Sequence, residues 1–342
     1  MPRRRVRPVA ARGGMLPRSM ARRRIAPALA CLVAAALGAA GCSRAGEDRP
    51  NAAATLVLDG RPSAVDAGIE LALARDFDGA EGMTLRVRAP SSAGDGLQRL
   101  LDGRAQFAIL DIHDLAMARD RGRDVVGVMA LVQRPLSAVL ANPGVGRPRD
   151  LAGRRVGVSG RRSDAAILAA MVRDDGGTAR RVRRVRVRAA LRALLSGRVP
   201  AAVGSWSADG VELLARRPGA RIFRADDYGA PAYPELVLCV THETLQDSRA
   251  VVRATVAALR RGYEEALNDP ESAVGAVVDR TPGRDRARVQ AGFDAVSPAF
   301  LEGVTRFGDF DVARLRVWAR WEARERIVRK PPDVALAFAP GF

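Results

Sequence analysis

From residue 54 onward the chain alternates two rhythms of apolar and polar positions. ATLVLDG (54–60) is a continuous apolar run that stops at a glycine and predicts a buried strand, whereas AGIELALARDF (67–77) spaces its apolar residues as a helix. MTLRVRAP (83–90) alternates with period two, and GDGLQRLLDGRA (94–105) returns to helical spacing. FAILDIHDLAMARDRG (107–122) repeats strand then helix, and VVGVMALVQRPLSAVLAN (125–142) supplies two further strands. Strands and helices taking turns predict an α/β fold with a largely parallel sheet.

A second series begins at RPRDLAGRRVGVSG (147–160), where a short helix precedes a strand over 155–158. RRSDAAILAAMVRDDGG (161–177) follows as a helix with Ser163 at its N-cap. RRVRRVRVR (180–188) alternates Arg and Val, the pattern of an edge strand with its charges in water. ALRALLSGRVPAAVGSW (190–206) gives a helix, a glycine stop and another strand, and PELVLCVTHETL (234–245) one more strand. Two amphipathic helices separated near Asn268-Asp269-Pro270 and a helical stretch to Arg329 lead into KPPDVALAFAPGF, expected to be a loose tail. The length that remains after residue 53 suits two α/β domains.

Composition changes the picture mainly at the front end. The chain of 342 residues carries 56 Lys+Arg against 38 Asp+Glu, a net charge of +18, and Lys330 is its only lysine. Residues 1–41 hold nine arginines and no acid, so the chain beyond them stands at +9. ARRRIAPALACLVAAALGAAGC has the basic start, apolar run and small residues of a secretory signal, and its apolar run is shorter than the about 20 residues of a spanning helix. Ala39-Ala40-Gly41-Cys42 resembles a bacterial lipobox, which implies a signal peptide over 1–41, a lipid on Cys42 and a tether over 42–53. The expected location is the extracytoplasmic side of the cell envelope, anchored to the membrane. With Cys31 in the signal and Cys42 acylated, Cys239 is alone, which excludes an internal disulfide and a thiolate metal cluster. The two histidines, His113 and His242, lie far apart without a matched set of acids, so neither a metal nor a cofactor is expected. No G-x-S-x-G elbow and no G-x-x-x-x-G-K-[ST] loop occurs. The arginine-rich 180–188 stretch lacks the aromatic residues of a nucleic-acid surface.

LVLDGRPSAVDAGIELA, GDGLQRLLDGRAQFAI, ALVQRPLSAVLAN, DLAGRRVGV, ALLSGRVPAAVGSW and DDYGAPAYPELVL follow one another in an order that resembles the solute-binding proteins of ABC importers. The likeness is to the group that binds thiamine-pyrimidine precursors, with riboflavin-binding and sulfonate- or nitrate-binding relatives, and runs from about Leu56 to Trp321. It implies the two-lobed, type II periplasmic-binding-protein-like fold, with two crossover hinges and an interlobe ligand cleft. Lobe one is then 54–138 plus 238–330, lobe two 143–233 and the tail 331–342, with crossovers near 137–142 and 235–240. It also implies a monomer that hands a small molecule to permease and ATPase subunits and catalyses no reaction.

Candidate ligand contacts follow residue by residue. Asp59 matches the acid that ends the family's first strand, but Gly60 stands where the family has a Trp and Asp66 where it has a His. Trp206 and Asp209, in GSWSADGVEL, match a Trp and, three residues on, a Glu; an acid there accepts hydrogen bonds from an aminopyrimidine or flavin edge. Tyr228, Tyr233 and Glu235 lie on the proline-stiffened DDYGAPAYPELVL loop, His113 at a strand-to-helix turn and Ser159 just before a helix whose first amides suit an anion or carbonyl oxygen. The expected solute is a small heteroaromatic compound, a thiamine pyrimidine precursor or one like riboflavin. The alternatives are a sulfonate-, nitrate- or taurine-type anion receptor, a pyrimidine synthase of the same fold, and a lipoprotein that only contacts partners.

Overall fold

A computed structural model describes residues 52–342; the signal, the lipobox and nearly all of the tether lie outside the described residues. Ten strands form two five-stranded sheets. The first sheet takes β1 (Ala52–Val57), β2 (Met83–Arg88), β3 (Phe107–Asp111) and β4 (Val126–Val132). The second takes β5 (Ser137–Ala141), β6 (Arg155–Val158), β7 (Arg183–Arg186), β8 (Ala201–Ser205) and β9 (Arg221–Arg224), after which β10 (Leu236–Val240) returns to the first. The orders are β2-β1-β3-β10-β4 and β7-β6-β8-β5-β9. In each sheet four strands run in one direction, and the fifth, the strand that has come across from the other lobe, lies antiparallel between two of them.

The burial of each strand follows its place. β3 is buried at every residue because it lies inside the sheet between helical layers, whereas β2 at the edge alternates buried and exposed as its sequence does. β7 is likewise an edge, with its three arginines exposed. β4 is an edge strand yet wholly buried, and the C-terminal segment explains why. That segment is not a loose tail: Phe338 bridges to Gly127, Ala339 N–H donates to the Gly127 carbonyl at 2.9 Å, and Phe338 is 3% exposed. Its apolar VALAFA stretch covers an edge that would otherwise offer unpaired backbone to another chain. Gly127 is required there, since a Cβ would stand 2.8 Å from the Phe338 ring and 2.7 Å from Val237.

The segments expected as crossovers are strands: 137–141 is β5 of the second sheet and 236–240 is β10 of the first. The chain passes between sheets at 133–136 and 225–235, so Ser137 and Ala138 belong with lobe two. An apolar run does not reveal in which sheet it lies, and both strands are apolar throughout. The two crossovers are fastened to each other. Arg134 Nε donates to Asp226 Oδ2 at 2.9 Å, and the Leu136 N–H donates to Glu235 Oε2 at 3.0 Å. Among the described residues no helix is long and apolar enough to cross a membrane.

Candidate solute-binding cleft

β1 and β3 end side by side at the border of lobe one, which is where open α/β sheets place their ligands. β1 delivers Asp59 just beyond its end, and β3 ends in Asp111, whose Oδ1 accepts the His113 N–H at 2.7 Å and so caps the helix Ile112–Asp120. One residue beyond His113, Asp114 opens the same helix. From lobe two, the loop after β6 brings Arg161, whose Nη1 lies 3.2 Å from Asp111 Oδ2 and 3.9 Å from Asp114 Oδ2. Ser159 shapes that loop: its Oγ accepts the Arg161 N–H at 3.2 Å and its own N–H donates to Asp164 Oδ2 at 2.7 Å.

The field at this border is acidic. Crowding by the surrounding chain and the Asp111 carboxylate push the Asp59 carboxyl upward, toward about 6, but the residue is exposed and water screens part of that shift, so Asp114 and Glu235 dominate the pH dependence. Burial and Asp111 do the same to Asp114, also to about 6. Glu235, 5% exposed, is pushed up to about 8, first by burial and then by Asp111. Burial works against the charge on Arg161, but Asp111, Asp114 and Asp59 outweigh it and hold the guanidinium more firmly protonated than usual. Each of these carboxyls has a folded pKa above its ordinary value, so its ionisation disfavours the folded state. The stability that protonation confers is present below about 4 and is lost as pH rises through about 6 to 8. The melting temperature of the solute-free protein is therefore expected to fall as pH is raised from 5 to about 9, read by calorimetry across that range. A flat or rising profile would contradict the crowding of these acids.

The other expected contacts have different places. Trp206 is 3% exposed; its Nε1–H donates to the Pro135 carbonyl at 2.7 Å and the Arg224 guanidinium lies 4.1 Å over its ring. It is a packing residue of the first crossover and has no face open to a solute. His113 and Tyr233 are fully buried beneath the cleft border, joined Nε2 to OH at 3.1 Å, with His113 Nδ1 paired to Glu322. Burial opposes a charge on His113, but Glu322 overrides it and pushes the imidazole up to about 10. Both side chains anchor the second crossover to lobe one rather than facing the cleft. Tyr228 packs edge-on against Phe223 of lobe two at 5.9 Å. Asp209 does not join the acids either. Its carboxyl folds back on β8, where a Cβ on Gly204 would stand 2.9 Å from its Oδ2, and burial raises its pKa. Ser163 sits inside the helix Arg162–Asp174, whose N-cap is Arg161.

Asp111, Asp114 and Arg161 were missed by sequence reasoning although LDIHDLA and VSGRRSD contain them. The available signal was a strand end running straight into a helix N-terminus, which places an Asp at the cap and another in the first turn. Among the described residues no group of three or more His, Cys, Asp or Glu is placed to hold a metal ion. A groove of about 510 Å³ lined by Phe310, Leu315, Ala319 and Phe338 shares no residue with the acidic border.

Two lobes joined by two crossovers, with the acids and Arg161 facing each other between them, define the class: a periplasmic-binding-protein fold of type II. The aliphatic sulphonate-binding protein SsuA of Escherichia coli has this fold, with a TM-score of 0.69 at 15% identity over 85% of this chain and 93% of its own. The desulfurization enzyme DSZB shares it too, with a TM-score of 0.59 at 18% identity over 84% of this chain and 96% of its own. Within that class the chain belongs to the NMT1/THI5-like family, which it matches over residues 64–273. It is also 30% identical over 254 residues to the formylaminopyrimidine-binding protein of Halalkalibacterium halodurans, covering 72% of this chain and 77% of that protein.

Proposed function

We propose that the chain is the exported, lipid-anchored solute-binding component of an ABC importer, and that its cleft captures a small nitrogen-bearing heteroaromatic compound without transforming it. One observation carries the solute class. Asp59, Asp111 and Asp114 line one wall of the interlobe border, and carboxylates in such a place accept hydrogen bonds from ring and exocyclic N–H groups, each worth about 1.5–3 kcal/mol when charge-assisted. The name of the Halalkalibacterium relative supports the same class, an aminopyrimidine. The acids oppose a sulfonate or nitrate, because a second anion brought among them meets like charge. A transport role rather than catalysis is supported by the relative's name as a binding protein and by the burial of Cys239 inside β10, away from the cleft. That DSZB is an enzyme of this fold means the fold alone decides nothing here. Permease and ATPase subunits are the partners this reading requires.

One preparation tests the whole reading. The chain purified from a bacterial membrane fraction should carry a lipid on Cys42, read from the mass of its N-terminal peptide. Titrated by calorimetry, it should bind a 4-aminopyrimidine or riboflavin and ignore taurine and nitrate. A ligand at a hundred times its dissociation constant adds about 2.7 kcal/mol of stability, so a parallel melting curve reports the same binding. Binding of taurine or nitrate with no response to the heterocycles would overturn the solute class.

A further inference from the structure

Arg161 is an odd occupant of a cleft built to receive a solute. It comes from lobe two and reaches the acids at the ends of β1 and β3, 3.2 Å from Asp111 and 3.9 Å from Asp114, with Asp59 close enough to act on its charge. Its backbone is fixed by the bond to Ser159 Oγ, but its side chain is about a third exposed, 34%, and so can swing into water. The nearby acid of its own lobe, Asp164, is already engaged by the Ser159 N–H at 2.7 Å. Lobe one thus presents a wall of carboxylates, and lobe two answers it with one flexible cation.

We propose that Arg161 is a tethered stand-in for the solute's basic group, neutralising Asp111, Asp114 and Asp59 in the empty receptor and yielding its place when a cationic heteroaromatic solute binds. The proposal rests on the reading of this cleft as the solute site. Three carboxylates in a half-dry border repel each other unless a positive charge lies among them. Whatever displaces Arg161 must bring an equivalent charge and donors, or the acids keep only the buried His113 imidazolium and Arg121 of their own lobe as compensation. A neutral or anionic solute cannot make that exchange on equal terms. Arg161 therefore raises the threshold for every solute alike and keeps the empty cleft from collecting stray cations, while the acids it vacates favour a cationic solute. Solute affinity is reduced by the share of receptors in which the arginine is seated, the usual reduction for a site that must first be vacated.

The test uses the exported chain with the wild-type sequence, Arg161→Gln and Arg161→Lys, titrated by calorimetry with two 4-aminopyrimidines. These differ at C5 alone, aminomethyl and positively charged at pH 7 in one, hydroxymethyl and neutral in the other. For a stand-in seated nine-tenths of the time, Arg161→Gln tightens binding of the charged compound about tenfold. The neutral compound, which needs the same place vacated, gains a similar factor but stays the weaker ligand of the two, and Arg161→Lys stays near the wild type. Melting curves of all three proteins confirm that they are folded. Weaker or unchanged binding of the charged compound to Arg161→Gln would overturn the proposal, making Arg161 a solute contact or a bystander while the solute class stands. If neither compound binds any of the three folded proteins the stand-in falls, and the solute class falls with it unless riboflavin binds.

Discussion

Replacing Glu322 by glutamine is expected to lower the melting temperature by on the order of 10 °C, although residue 322 is remote in sequence from every expected contact. Glu322 and His113 are both fully buried and pair Oε1 to Nδ1, with the ring's Nε2 joined to Tyr233 OH at 3.1 Å. Removing one partner of a buried pair costs about 3–5 kcal/mol because the other charge is left without compensation. At about 2–4 °C per kcal/mol for a chain of this size, a shift of that order follows. The pH dependence separates loss of the pair from loss of packing. The raised folded pKa of His113, about 10 against 6.5, contributes stability that is fully present below about 6.5 and lost as pH rises through 10. The gap between wild type and Glu322→Gln should accordingly widen as pH falls from 8.5 to 5.5. A gap that stayed constant would assign Glu322 a packing role alone. The double replacement His113→Leu/Glu322→Leu should recover part of the loss, since it leaves no orphaned charge. What this buried trio achieves is to pin the second crossover, through Tyr233, to the start of one helix and the end of another in lobe one.

The same trio shows where reading the chain succeeds and where it stops. Alternation in MTLRVR marked a strand and in RRVRRVRVR an edge strand, and both lie at sheet edges, where one face is dry and one wet and the difference is written into every second residue. β5 and β10 are apolar at every position, and such a run carries no mark of which sheet it joins; the crossovers were accordingly displaced by a few residues. His113 and Tyr233 drew attention as rare polar or aromatic side chains and Trp206 through the family likeness, but neither ground separates a cleft wall from the layer beneath it. What places His113 beneath is Glu322, 209 residues away, a pairing that no local pattern announces. Asp59 was named from the family likeness, as the acid that ends the first strand, and it stands just beyond the end of β1. Asp111 and Asp114 hold the same place at the end of β3 and were hidden only by the histidine between them.

Asp59→Asn is expected to weaken binding of the proposed solute about ten- to hundredfold while leaving the protein as stable or more so. The two effects have opposite signs for one reason. The Asp59 carboxyl is raised to about 6 by its surroundings and by Asp111, so it is mostly ionised at neutral pH but its charge is held less comfortably than in water, and a positive partner that arrives favours it. Asparagine keeps the shape and removes the charge, which relieves the empty cleft and deprives the solute of a charge-assisted bond of about 1.5–3 kcal/mol. Asp209→Asn is the control. Its carboxyl is turned back on Gly204, and binding should stay within about twofold of the wild type, the range of substitutions remote from a site. Calorimetric titration and melting curves on the two variants decide the matter. Strong loss in Asp209→Asn with none in Asp59→Asn would move the site from the border of β1 and β3 to the end of β8. Loss in Asp59→Asn accompanied by a lower melting temperature would make Asp59 a structural acid, and its raised pKa would then no longer mark a place kept ready for a cation.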